Sequence, residues 1–573
     1  MQALNVKRPW GVMGFCALAL AFNAQADSGQ FSTLTYNVAG LLEVFSSAES
    51  DRQSATEQIS CYVNEFDFVN VQEDFNYHAA LYDTCDDHPY RSATTGGMGI
   101  GSGLNTMSRF EYQDWERVSW DDCNGVDCLT PKGFTLARTR LAEGVYVDIY
   151  NLHTQAQTED ADLSARRANL LQLADFIEEN SAGNAVIVMG DTNTRYTRDG
   201  DNMWELLNRG FSDAWLNLVR NGDVPASGAD ALVCDPKITS ADCEIVDKIV
   251  YRSNGFITLN ASLYEVRQDD ETSDGLKLSD HPPVQTNFSW STRADRQLSD
   301  PFGGPHGTAF NDVSLLPDNP ATKTVSLRAG SRVDQLGITL SNGFVSTHGG
   351  SGGTAKSLTL NSGEYLASLN VCSGKKDDHT RIFYAKFTTT SGRTLSGGST
   401  TSSCTTFTAP SGWQIVGFHG RAGDELDKVG VIYAPQQSGD SAVSWAALQN
   451  QASGLCLDIN GGTMADGTNV LQWTCSGATW QQWHYDASTG LVRSKNDPRF
   501  CLDNSNVFGN GANIQLHTCN GSAAQQFVLG ADGALAMRTL TSQVVDGYGT
   551  SAGDNVGTWW NWGGGNQRWT QVP

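Results

Sequence analysis

Apolar and polar positions change rhythm twice along this chain. Between residues 30 and 290, short apolar runs alternate with stretches whose apolar residues recur at helical spacing. Asp51 to Phe66 places Ile59, Val63 and Phe66 on one helical face, and Phe68-Val69-Asn70-Val71 follows as a buried strand. A second helix is predicted over about Leu163 to Ile177, ahead of the strand Ala185 to Met189. This alternation predicts an α/β domain, and polar residues appear at the strand ends, where such sheets place their sites. From about Asp300 the chain turns to Gly, Ser and Thr with short alternating strands, which predicts all-β structure.

The second change falls at Pro435 to Gly439, read as a linker. Beyond it, Gly454-Leu455-Cys456-Leu457-Asp458 recurs as Arg499-Phe500-Cys501-Leu502-Asp503 and more loosely as Ser542-Gln543-Val544-Val545-Asp546. Each copy ends in a glutamine-aromatic signature: Gln481-Gln482-Trp483, Gln525-Gln526-Phe527 and Gln567-Arg568-Trp569. Three copies of one supersecondary unit predict threefold pseudosymmetry. The expected division is residues 1–26 as leader, 27–298, 299–435, a linker at 436–440, and 441–573.

The leader reading rests on Lys7 and Arg8, the apolar run Gly11 to Phe22 and Ala24-Gln25-Ala26 as a cleavage site. It predicts a secreted, extracellular protein, with no later run apolar enough to span a membrane. Twelve cysteines follow Cys16, an even number suited to an oxidising compartment. Local pairing is expected: Cys61–Cys85, Cys123–Cys128, Cys234–Cys243, Cys372–Cys404, Cys456–Cys475 and Cys501–Cys519. Of the net charge of −25, residues 27–298 contribute 44 acids against 20 bases. No basic stripe tracks a nucleic-acid backbone, which demotes DNA as a partner.

Five strand-end segments carry the candidate chemistry: Tyr36-Asn37-Val38, Gln72-Glu73-Asp74, Asn151-Leu152-His153, Gly190-Asp191-Thr192-Asn193 and Ser279-Asp280-His281. Singly, each reads as an ordinary loop, turn or cap residue. Together they supply what phosphoester hydrolysis needs: a hard cation, an activated water and donors for a pentacoordinate phosphorus. Glu73 with Asn37 suits Mg²⁺ or Mn²⁺. His281 suits a general base, with Asp247 fixing its tautomer.

In order and local form these segments resemble the endonuclease/exonuclease/phosphatase superfamily, whose deoxyribonuclease I-like fold is an α/β four-layer sandwich. The resemblance implies Asn37 and Glu73 at the metal, Asp191 and Asn193 positioning water and phosphate, and His153 as a transition-state donor. It further implies Asp280 as a second metal or histidine-supporting carboxylate and His281 as the base paired with Asp247. Lys132-Gly133-Phe134, Ser102-Gly103-Leu104 and the stretch after His153 look closer to secreted sphingomyelinases than to nucleases. The apolar membrane hairpin of bacterial sphingomyelinases has no clear counterpart.

The segment Gly417 to Gly430 and the opening Phe302-Gly303-Gly304 resemble jacalin-related lectins, an all-β β-prism whose GxxxD loop maps to Gly423 through Asp427. The three terminal repeats resemble ricin B-type lectins, an all-β β-trefoil. That likeness implies sugar contacts from Asp503, Gln515, His517 and Gln525 in the second repeat. The first offers Asp458 and Trp473, with Leu471 at the family's glutamine position, and the third Asp546 and Trp559, with Gly557 there. Trp483, Phe527 and Trp569 are expected in the core. The whole reads as a secreted Mg²⁺-dependent phosphodiesterase, sphingomyelinase or phospholipase C-like, held to glycans by two lectin modules, with a phospholipid favoured and peripheral membrane contact expected. The alternatives are a secreted deoxyribonuclease and a glycan-binding adhesin or toxin with an inert first domain.

Overall fold

A computed structural model describes residues 26–95, 101–234, 240–437 and 443–572. The leader through residue 25 and linker residues 438–440 lie outside the described residues.

Two six-stranded sheets face one another in the first half of the chain. One runs, edge to edge, through Ile257–Val266, Val284–Thr292, Ser28–Asn37, Phe68–Gln72, Asn105–Ser108 and Tyr90–Arg91. The other runs through Tyr112–Ser119, Gly133–Ala142, Val145–His153, Ala185–Asp191, Asp247–Arg252 and Ser212–Asp213. The helix Arg52–Val63 covers the outer face of the first sheet, burying Ile59 and Val63 with Leu34, Tyr36 and Val71. Asp160–Asn180 covers the second, burying Leu170, Leu173 and Ile177 with Phe134 and Tyr150. The result is the four-layer sandwich.

Helix ends follow local chemistry rather than apolar spacing. Asp51 caps the first helix through Ser54 N, and that helix stops at Val63, short of Phe66. The second begins earlier than its apolar stripe, because Glu159 and Asp162 form a reciprocal capping box. Asn70 and Asn151 reach across the sandwich to the carbonyls of Tyr150 and Val71, pinning the sheets together.

Three antiparallel sheets follow, built from Gln297–Pro435, and form the β-prism. Hairpins from Ala446 onward form the trefoil, where Trp483, Phe527 and Trp569 are buried as expected. The two indoles donate to the Leu457 and Val545 carbonyls at 3.1 and 2.9 Å. All six expected disulfides are present. No described helix is long and apolar enough to cross a membrane.

The prism docks on one pole of the sandwich. Asp300 accepts from Arg140, Tyr146 and the Gly144 amide. Gly144 is required there: its φ is 68°, and a Cβ would lie 1.9 Å from the Leu298 carbonyl. Buried Asp114 meets Arg138 at 3.2 Å and Lys428 at 2.5 Å. Val145 starts the strand that ends at His153, so these contacts lie at the opposite strand ends from the five polar segments.

Candidate active site

Strand register assembles the site. Ser28–Asn37 and Phe68–Gln72 run parallel, so Asn37 and the residue after Gln72, Glu73, emerge together. In the second sheet His153 pairs with Asp191, and Asp191 pairs with Asp247, placing three site residues on one rung. The fully buried Arg52 then ties the first strand's exit to the distant histidine segment, donating to Val38, Ala39 and Leu278 carbonyls at 2.5 to 3.0 Å. Ser279 completes that link through a 2.6 Å bond to the Asn37 carbonyl.

Three non-glycine residues at the site take left-handed backbone. Ala39, Glu73 and Asn193 hold φ values of 46°, 57° and 49°, conformations non-glycine residues avoid unless the surroundings enforce them. Gly40 makes room for Glu73, since a Cβ would lie 2.3 Å from its carbonyl.

His281 Nδ1 lies 2.8 Å from Asp247 Oδ2, and its Nε2 lies 3.8 Å from Asp191. Burial disfavours the imidazolium, but Asp247 and Asp191 outweigh it, so the His281 pKa stands well above the usual histidine value. Asp191 accepts from Asn37 Nδ2 at 3.1 Å and from the Asn193 amide at 2.9 Å. Burial would raise Asp191, yet His281, His153 and Lys132 hold it low. Burial, reinforced by Lys132, pulls His153 down to about 3, so its ring is neutral.

Asn37, Glu73, His153, Asp191, Asn193, Asp247 and His281 are thus brought together. Asp280 stands at the exposed rim, 3.4 Å from the Ser279 hydroxyl, and acts on Glu73 and His281 through its field. Burial raises the Glu73 carboxyl, and among the described residues no lysine or arginine pairs with it. A carboxylate so placed fits a divalent cation. Asn37 turns its Nδ2 toward Glu73 at 3.2 Å, and ligation through its oxygen requires the flipped amide, giving up the Ala39 amide bond. Asp191, Asp247 and His281 also present ligand atoms within 4.8 Å of one another, a second arrangement able to hold an ion.

Two cations escaped the sequence reading. Lys132 lies 3.1 Å from His153 Nε2 and 3.0 Å from Asp127. Its Lys-Gly-Phe segment carried a family signal but no role. Arg195 lines a cleft of about 690 Å³ together with Asn193, Asp247 and His281. Its Nε is buried without a partner, and among the described residues its guanidinium has no hydrogen bond or ion pair. The cleft is also flanked by apolar loop tips. Leu42, Val44 and Phe45 are exposed just before cleft-lining Ser47, and Val126 and Leu129 are exposed beside Asp127.

The lectin residues divide. Asp427 is fully buried against the Arg381 guanidinium and packs beside Gly307, so it does not open to solvent as expected. Gly423 spends its amide on the Glu425 carbonyl. A second GxxxD, Gly330 to Asp334, was missed despite its identical spacing. Its carboxylate takes the Gly330 amide at 3.2 Å, and a Cβ on Gly352 would meet it at 2.3 Å.

In the trefoil, Trp473 and Trp559 are exposed, 47% and 42%. Asp458 and Asp546 are held by Gln481 and Gln567 at 2.7 and 2.8 Å. Gln525 holds Asp503 in the same way at 3.2 Å and is fully buried, so it orients the carboxylate rather than meeting a sugar. Gln515 reaches Asp503 from the open side at 3.2 Å, beside part-exposed His517. Tyr548 overlies Gly557, where a Cβ would meet its hydroxyl at 2.2 Å, which explains the missing glutamine in the third repeat.

Similarity to known proteins respects the same division. Residues 47–245 match the Endonuclease/Exonuclease/phosphatase family 2, 299–432 the Jacalin-like lectin domain, and 444–569 the Ricin-type beta-trefoil lectin domain. A sphingomyelinase of Mycobacterium tuberculosis is 38% identical over 271 residues, covering 46% of this chain and 53% of that protein. The chain therefore spans about half the length of the curated relatives it first matches. Horcolin of Hordeum vulgare is 30% identical over 141 residues, covering 24% of this chain and 94% of the lectin. Among solved structures, sphingomyelinase C from Streptomyces griseocarneus shares 19% identity, covering 45% of this chain and 99% of that one, with a TM-score of 0.32. The chain carries an endonuclease/exonuclease/phosphatase domain of sphingomyelinase-like sequence, followed by a jacalin-like lectin domain and a ricin-type β-trefoil lectin domain.

Proposed function

We propose that this chain is a secreted, divalent-metal-dependent phosphodiesterase whose leading substrate is a phospholipid such as sphingomyelin, held near glycan-bearing surfaces by its lectin modules. The observation that carries the reading is the His281–Asp247 pair beside Asp191, which Asn37 Nδ2 joins to Glu73.

The positions of these side chains set the chemistry. With Asp247 holding Nδ1–H, His281 Nε2 takes a proton from water as the new P–O bond forms, and the P–O bond to the leaving alcohol breaks in line. Asn193 lines the phosphate side, and neutral His153, whose Nε2 accepts a hydrogen bond from the Lys132 ammonium, orients that ammonium without adding charge of its own. Lys132 and Arg195, whose guanidinium is unpaired among the described residues, bring the positive charge that a phosphate dianion-like transition state requires. A divalent ion held by Glu73, with Asn37 flipped, would supply further charge neutralisation. Asp280 at the rim is placed to support it.

The apolar tips at Leu42, Val44, Phe45, Val126 and Leu129 suit shallow insertion in a lipid interface around the cleft. Six disulfides support an oxidising, extracellular setting. Glycan contacts are assigned to the trefoil carboxylate sites and to Asp334.

Sphingomyelin and phosphatidylcholine vesicles, plasmid DNA and bis(p-nitrophenyl) phosphate, assayed in parallel with Mg²⁺ and with excess chelator, test the reading. Sphingomyelin turnover that chelator abolishes and Mg²⁺ or Mn²⁺ restores is expected. Turnover of DNA alone would make the chain a nuclease, and turnover of none would leave a glycan-binding protein with an inert sandwich.

A further inference from the structure

A cavity of about 860 Å³ lies where the sandwich, the prism and the trefoil meet. Its floor is the second trefoil repeat: Asp503, Gln515 and His517 all line it. One wall is the sandwich helix Asp160–Asn180, which presents exposed Glu179. The other is the prism, where exposed Thr308 stands beside Phe310, whose ring stacks on His348 at 3.7 Å.

Floor and walls are bonded to one another. Asn506, three residues beyond Asp503, donates to Asp175 at 2.6 Å, and Arg209 donates to its carbonyl and side-chain oxygens at 3.0 and 3.3 Å. Arg493 of the trefoil reaches the Leu315 carbonyl at 3.0 Å, and Thr539 reaches Asn208 at 2.6 Å. The walls therefore keep a fixed place over the sugar residues. Trp473 and Trp559, by contrast, stand outside this cavity on open surface.

We propose that the second repeat's pocket is one end of a composite site, built from all three parts of the chain, that takes a neutral oligosaccharide of two or more rings. One ring meets Asp503, Gln515 and His517, and the next rings lie between Glu179 and the Thr308–Phe310 wall. The volume falls in the range that encloses a ligand of that size rather than a single pyranose. Polar groups with an aromatic face suit the hydroxyl rim and apolar plane of successive sugar rings. Open repeats read only the ring that reaches them, whereas this one also selects on the second and third rings of the chain.

The inference rests on glycan binding by the second repeat, and the test separates the two. Full-length His517→Ala, Thr308→Trp, Glu179→Trp and Trp559→Ala are compared with the native chain on a printed array of mono-, di- and trisaccharides of galactose, N-acetylgalactosamine, glucose and mannose. Melting temperatures check that each variant is folded. His517→Ala, Thr308→Trp and Glu179→Trp, altered in three different parts of the chain, should lose the same di- and trisaccharides by about tenfold or more. Trp559→Ala should lose a different set. Loss in His517→Ala with native binding in both tryptophan fillings overturns the composite site while leaving the repeat a lectin. An unchanged His517→Ala array overturns both.

Discussion

Asp247→Asn isolates the electrostatic half of the proposed base. The substitution keeps the size of the side chain but removes the charge lying 2.8 Å from His281 Nδ1. Asp247 is 1% exposed and His281 22%, so water screens the pair only partly. For charge centres about 4 Å apart and an effective dielectric near 20, the attraction is about 4 kcal/mol. Asp191 at 3.8 Å remains, so the His281 pKa should fall but keep part of its elevation. The base acts when neutral, and its raised pKa puts the acid limb of kcat/KM above the ordinary histidine range. In Asp247→Asn that limb should move to lower pH, while the plateau falls about 10²- to 10⁴-fold because the tautomer is no longer enforced. The assay is kcat/KM on bis(p-nitrophenyl) phosphate between about pH 5 and pH 10 at fixed Mg²⁺. An acid limb that stays in place, or a plateau within about twofold of native, would refute the pairing. Stability must carry the matching sign. A folded pKa raised above the unfolded value near 6.5 adds stability that is full below that value and lost as pH rises through the folded one. The native chain should therefore lose its stability advantage over Asp247→Asn in alkali.

Other perturbations separate the remaining parts of the site. Glu73→Gln keeps the Asn37 contact but weakens the oxygen site, and should raise the Mg²⁺ concentration for half-activation at least tenfold; an unchanged titration would move the ion to the Asp191–Asp247–His281 trio. Arg195→Ala should cut kcat/KM about 10²-fold and weaken inhibition by inorganic phosphate, with Arg195→Lys partly restoring both; unchanged phosphate inhibition would show that the guanidinium faces no anion. Val44→Asp with Phe45→Asp should lower turnover on sphingomyelin vesicles by about tenfold or more and spare the soluble diester, since burying one such side chain contributes about 1.5–3 kcal/mol. Equal loss on both substrates would place that loop in the chemistry rather than at the lipid.

Much of the sandwich site was legible because strand ends are sequence-local. Asn37, Glu73, His153 and Asp191 each terminate or follow a recognisable apolar run, and the strand holding Asp247 could be paired in thought with the histidine. Features set by long-range packing were not legible. Nothing local shows that Arg195 lacks a partner among the described residues, that Arg381 comes from another hairpin to cover Asp427, or that Gln525 turns inward. The disulfides were accessible because every pair is close in sequence, from 5 to 32 residues apart. The missed Asp334 shows the converse: the spacing was present, but its glycine neighbours at 352 and 353 acquire meaning only once the hairpins are stacked.

The strand Val145–His153 begins beside the Asp300 clamp and ends in the site. At about 3.3 Å per residue its nine residues make a stiff spacer of roughly 30 Å. With the clamp fixing one end, the lectin modules act on the sandwich as a mount rather than a leash. Reach and heading of the cleft are then properties of a β-strand, so lengthening the 436–440 segment cannot bring the catalytic rung closer to a surface held by the prism.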